Sequence, residues 1–174
     1  KGRFKLIPLI ETSAAVLNAQ DICKASDRVI AIAYGSEDFI NDLEGVHDSE
    51  HQSLFTPRAL IAMAARANNV IPIDTVHINV HDMEDLEYNL KLSKNLGFEG
   101  MLVLNPKELN LVHEYFSPSK LEIKKAEEML RLFNESRTSG KGVALVDGKF
   151  IGPPMVLAAK KVLNKSDLIN QNKK

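Results

Sequence analysis

Apolar residues along this chain recur in short, nearly unbroken runs, at 5–10, 29–34, 70–73 and 100–104. Each run stops at polar residues and is followed by a longer segment with helical spacing. Near-continuous apolar strands alternating with amphipathic helices imply a parallel sheet covered by helices, here as four consecutive βα units. Pro8 lacks an amide proton for a ladder, so the first strand is expected to begin irregularly or to carry a bulge.

Local signals predict where the helices start and stop. Thr12 or Ser13 serves as an N-cap for a helix whose face is built from Ala15, Leu17, Ile22 and Cys23. The polar stretch 41–53 reads as a long loop, and Thr56 with Pro57 as cap and first turn of a helix with Leu60, Ile61, Met63 and Ala64 on its apolar side. A helix over 83–96 is stopped by Gly97, another covers about 107–115, and Ser119 with Glu122 has capping-box spacing for a helix to about 136. Past Gly140 come a strand at 143–146, a turn at Asp147–Gly148, a helix after Pro153–Pro154 and a frayed polar tail over 166–174. The reading places one domain over 1–139 and an extension over 140–174.

Composition narrows the partners. The 22 Lys and Arg against 23 Asp and Glu leave a net charge of −1 with no long like-charge block except the terminal lysines, so a small molecule is expected rather than nucleic acid or an anionic membrane. No apolar run approaches the ~20 residues of a membrane span. The single cysteine, Cys23, excludes an internal disulfide and a cysteine-based zinc site; it is expected to be a small helix-face residue in a cytoplasmic protein.

Three of the four strand runs end in carboxylates: Glu11, Glu37 with Asp38, and Asp74. In parallel sheets, chemistry sits beyond the C-terminal strand ends. Glu11 and Asp38 lie one βα unit apart, so they top neighbouring strands about 4.8 Å apart and could share a hard cation such as Mg2+, with a keto or hydroxy acid completing its oxygen shell. Spacing alone equally allows such carboxylates to cap helices. Asp74 reads as an outer support of the metal site or as a structural strand-end group. The pairs His77/His81 and His47/His51 read as ordinary loop histidines, since no HExxH pattern accompanies them.

Longer blocks carry a resemblance. LIPLIETSAAVLNA at 6–19, IAYGSEDF at 32–39, AARANNVIPIDTV at 64–76, LGFEGMLVLNPKEL at 96–109, YFSPS at 115–119 and GKGVALVDGKFIGPPMVLAAKKVL at 140–163 occur in this order. Together they resemble the citrate lyase β-subunit and malyl-CoA lyase-like enzymes, the HpcH/HpaI aldolase family. The resemblance implies an α/β fold that is a partial (β/α)8 TIM barrel, strands five to eight with their helices, plus a C-terminal helical extension. It implies Glu11 and Asp38 as Mg2+ ligands, and backbone amides around Ser36, Glu37 and Asp38 as receivers of a substrate carboxylate. The implied activity is that of an Mg2+-dependent carbon–carbon lyase or aldolase acting on CoA or acyl-carrier thioesters of hydroxy diacids, or on related keto acids.

The same resemblance exposes departures. Gly152 stands where family members usually carry an aspartate that acts as acid or base in a neighbouring subunit's site, so no catalytic residue is assigned. Asn105 stands where histidine is more frequent. The match begins at what would be the fifth strand, and four βα units leave two open sheet edges, so the expected partner is a complementary N-terminal half-barrel or further copies in a homo-oligomer. The alternative function is a catalytically impaired split or truncated half-barrel with a structural or regulatory role.

Overall fold

Each apolar run yields a strand, and each strand is shorter than or offset from its run. In the computed structural model, which describes residues 3–48, 50–138, 144–146 and 149–171, β1 (Leu9–Ile10), β2 (Ala31–Tyr34), β3 (Ile71–Asp74) and β4 (Gly100–Met101) form one parallel sheet in the order β1-β2-β3-β4. The registers pair Ile10 with Tyr34, Ala33 with Ile73 and Asp74 with Met101. Pro8 behaves as its chemistry requires: a lone bridge joins Leu6 to Val29, β1 resumes at Leu9, and the Pro8 carbonyl still accepts the Ala33 amide at 2.9 Å.

The helices of this first unit, residues 1–116, are α1 (Ser13–Leu17), α2 (Ala19–Lys24), α3 (Ser36–Leu43), α4 (Gln52–Ala67), α5 (Met83–Leu96) and α6 (Leu109–Phe116), the last preceded by a 3-10 turn at Pro106–Glu108. Thr12 caps α1 by accepting the Ala15 amide, and Gly97 closes α5 in the left-handed region at φ 95°. The expected single helix over 13–23 breaks at Asn18, whose side chain turns back to the Ala14 carbonyl at 2.8 Å. Cys23 is buried and Leu17 is exposed, so only part of the predicted face reaches the core.

The start of α4 corrects the sequence reading. The helix begins at Gln52, not at Thr56–Pro57, and carries Pro57 inside it. The cause is Asp48, whose carboxylate accepts the amides of Gln52 at 2.9 Å and Ser53 at 3.0 Å and so caps four residues early. Those amides, with that of Ser53 foremost, hold the Asp48 carboxyl down at about 2. Helices α3 and α4 therefore take up both ends of the expected loop, and the buried face of α4 becomes Leu54, Pro57, Arg58, Ile61, Ala62 and Ala65, with Met63 outside. This face meets Ile10, Ile32, Tyr34, Phe39 and Val70 in the main core.

The second unit, residues 117–174, holds α7 (Lys120–Thr138), an antiparallel pair β5 (Ala144–Val146) and β6 (Lys149–Ile151), and α8 (Pro153–Gln171). Ser119 and Glu122 form the predicted capping box reciprocally, Ser119 N–H to Glu122 Oε2 at 2.7 Å and Glu122 N–H to Ser119 Oγ at 3.1 Å. Strand β6 has no counterpart among the predicted elements. The expected turn at Asp147–Gly148, the start of β5 at Val143 and the last three residues of the tail lie outside the described residues. Among the described residues no helix is long and apolar enough to cross a membrane.

Candidate metal centre

Register determines which side chains meet beyond the strands. Because Ile10 pairs with Tyr34, the next residues along each strand, Glu11 and Gly35, come level, and the Gly35 amide donates to the Ile10 carbonyl at 2.9 Å. The Glu11 side chain lies over Gly35, its Cγ and Oε1 each 2.6 Å from where a Cβ on that residue would be. Asp38 stands in the first turn of α3. Burial chiefly, then the charge of Asp38 and a hydrogen bond to it, hold the Glu11 carboxyl above the ordinary glutamate value. The structure thus brings together the two carboxylates singled out by spacing.

A carboxylate whose ionisation is opposed by a neighbouring carboxylate forms a locus that a divalent cation relieves. The donor set is all oxygen, and Mg2+ commonly takes one or two protein carboxylates together with water and ligand oxygens. Among the described residues no group of three or more His, Cys, Asp or Glu side chains could hold a metal ion, so the protein contribution would be this pair.

The first turn of α3 is built from neighbouring strands as well. Pairing of Ala33 with Ile73 brings Ser36 level with the end of β3, where Thr75 Oγ1 accepts the Ser36 amide at 3.0 Å and lies 2.9 Å from Ser36 Oγ. Of the three amides singled out for a substrate carboxylate, that of Ser36 is therefore already bonded to protein. Those of Glu37 and Asp38 point out of the helix start, where helix geometry leaves them without an intrahelical acceptor.

Asp74 is engaged by neighbouring protein groups. It is wholly buried, accepts Arg58 Nε at 3.1 Å and the Thr75 amide at 2.8 Å, and Arg58 in turn donates through Nη2 to Asn89 Oδ1 at 3.0 Å. The chain of contacts Asn89–Arg58–Asp74–Thr75–Ser36 ties α5, α4 and β3 to the start of α3. Replacing Thr75 by valine keeps the shape but orphans the buried Ser36 amide, so a loss of about 1–3 kcal/mol in urea unfolding is expected, with Thr75→Ser near wild type. Equal stability of the valine and serine variants would refute this role for the hydroxyl.

Beside the pair, and sharing Ser36 and Glu37 with the start of α3, lies a pocket of about 440 Å3 lined also by His51, Arg58, Thr75 and His77. The histidines there are more constrained than ordinary loop residues. His51 Nε2 and His77 Nε2 contact the two oxygens of Asp85 at 2.7 and 2.9 Å, and His77 is buried. Burial raises the Asp85 carboxyl, but the hydrogen bonds and electrostatic attraction of His51 and His77 together leave it below the ordinary aspartate value. His47 reaches Glu37 at 3.2 Å. Asn105 caps the 3-10 turn by accepting the Lys107 amide at 3.0 Å, and the Gly152 carbonyl accepts Met155 and Val156 amides at the start of α8 in the second unit.

Arg58, Asp85, Asn89, Thr75 and Gly35 escape the sequence reading. For Arg58 a signal exists: a lone cation at the 54, 58, 61, 65 positions of an apolar helical stripe. The expected helix start at Thr56–Pro57 hides it. The contacts of Thr75 and Gly35 depend on strand register, which the sequence does not display.

A parallel α/β unit with a carboxylate after β1 and another in the first turn of the helix after β2 defines the class, and comparison with known proteins supplies the family. The family model described as HpcH/HpaI aldolase/citrate lyase matches residues 1–106, and the chain belongs to that family. It is 33% identical over 162 residues to the citrate lyase subunit beta of Leuconostoc mesenteroides subsp. cremoris, covering 93% of this chain and 54% of that protein. The chain thus spans about half the length of this relative. Among solved structures, the protein CitE from Mycobacterium tuberculosis in complex with magnesium, acetoacetate and coenzyme A superposes with a TM-score of 0.76 at 24% identity, over 94% of this chain and 61% of that one. The citrate lyase beta subunit of M. tuberculosis complexed with oxaloacetate and magnesium gives a TM-score of 0.60 at 25% identity, over 66% of this chain and 53% of that one.

Proposed function

We propose that this chain carries the metal-binding part of an Mg2+-dependent carbon–carbon lyase or aldolase, with Glu11 and Asp38 as the protein ligands. The observation that carries the reading is the meeting of these two carboxylates, one after β1 and one in the first turn of α3, in a family with relatives that are citrate lyase β-subunits. A structural neighbour holds both magnesium and oxaloacetate, which supports a keto acid as the ligand class. When bound, magnesium supplies electrophilic polarisation of a keto or hydroxyl oxygen. The chain's own contribution is to hold the two carboxylates, and to present the Glu37 and Asp38 amides to a substrate carboxylate at the positive end of α3. The substrate class is a thioester of a hydroxy diacid on CoA or an acyl carrier, or the corresponding free keto acid.

In the same reading the four strands form part of a (β/α)8 barrel. A complementary half or further copies of the chain would cover the exposed Phe4, Ile7 and Leu9 along the β1 edge. A second reading, an impaired half-barrel that binds without turnover, draws on Gly152, which offers no side chain for proton transfer. Calorimetric titration of oxaloacetate with and without Mg2+ tests the main reading. Metal-dependent binding that Asp38→Asn abolishes is the expected result; binding indifferent to Mg2+ would refute it. Turnover of a hydroxy-diacyl thioester then separates the enzyme from the impaired form.

A further inference from the structure

We infer that Gly35 is a positioning residue for the metal centre: the missing side chain is what lets the Glu11 carboxylate lie against the start of α3. This rests on the metal reading above. The backbone at Gly35, φ −115° and ψ 97°, is extended and open to any amino acid, so conformation does not require glycine there. Helix capping would favour another residue, because Gly35 is the N-cap of α3 and supplies no side-chain acceptor where Ser, Thr, Asp or Asn would. Neither local argument calls for glycine.

One contact selects for it. A Cβ at Gly35 would lie 2.6 Å from Glu11 Cγ, 2.6 Å from Oε1 and 3.0 Å from Cδ. The three nearest atoms thus all belong to one flexible side chain. A methyl group at this position would displace the Glu11 side chain from Cγ outward, while the backbone at Gly35 keeps a conformation any residue adopts. The same absence has a second effect: an N-cap side chain would occupy first-turn amides of α3, the donors assigned to a substrate carboxylate. Glycine leaves the helix start open and the carboxylate beside it.

The prediction separates metal binding from stability. Mn2+ affinity, read by the electron paramagnetic resonance of the free ion, and the metal-free melting temperature are measured for the wild-type chain, Gly35→Ala and Gly100→Ala. The last is a control, because a Cβ at Gly100 meets nothing within 4 Å. Gly35→Ala is expected to bind Mn2+ about tenfold or more weakly, as when a supporting contact of a metal ligand is lost. Its melting temperature is expected to stay within about 2 °C of wild type, with the control unchanged in both. Wild-type affinity in Gly35→Ala overturns the positioning role alone. A Gly35→Ala chain that melts far below wild type also overturns it, because glycine then serves the fold. A wild-type chain that takes up no Mn2+ overturns the metal reading and this inference together.

Discussion

Arg58→Met is expected to destabilise the chain by about 3–5 kcal/mol, the largest effect of any single substitution considered. Arg58 and Asp74 are 1% and 0% exposed, and methionine fills most of the arginine volume while leaving the Asp74 charge buried without its cation. Against a total stability of about 5–15 kcal/mol for a typical domain, that loss lowers the urea midpoint drastically. The double change Arg58→Met with Asp74→Leu should recover much of it, since removing both charges also removes the desolvation cost. A single variant losing less than about 1 kcal/mol would show that the Asp74 charge is met elsewhere.

Glu11→Gln is expected to act in the opposite sense on the fold while removing Mg2+ affinity. The Glu11 carboxyl is raised, by burial first and then by Asp38, so over a window above the ordinary glutamate value the folded chain holds a proton that the unfolded chain has released. The stability this group contributes is therefore present at low pH and lost as pH rises through its raised value. Glutamine carries no charge, so at neutral pH the metal-free variant should melt about 1–3 °C higher, an effect kept small because solvent screens the site. Its stability should also vary less with pH in that window. A lower melting temperature, or undiminished Mn2+ binding, would contradict this assignment. For the wild type, metal affinity should fall away on acidification at a higher pH than an isolated glutamate would give.

The four strands, the parallel order and the carboxylate pair were legible because each is written in local sequence. Uninterrupted apolar runs such as 29–34 declare buried strands, and a carboxylate directly after a run declares a strand-end group. Gly97 and the Ser119/Glu122 box were legible for the same reason, as motifs complete within a few residues. Illegible were one local cap and the features that depend on long-range pairing. The start of α4 is set by Asp48, whose cap lies in a stretch that polarity alone marks as loop. The Arg58–Asp74 pair and the Ser36–Thr75 bond span 16 and 39 positions, distances over which periodicity carries no information. Asp74 could be narrowed to two roles from sequence, and its burial beside Arg58, with Thr75 leading on to Ser36, could not be read there.

The capping box at Ser119 and Glu122 has a bearing on what an insertion before it would do. It stands at the first residues of the second unit, and both of its hydrogen bonds are made by residues within that unit. A helix that carries its own start signal does not depend on the preceding residues for its first amides. A residue inserted around Ser117 and Pro118 would therefore leave the cap of α7 intact.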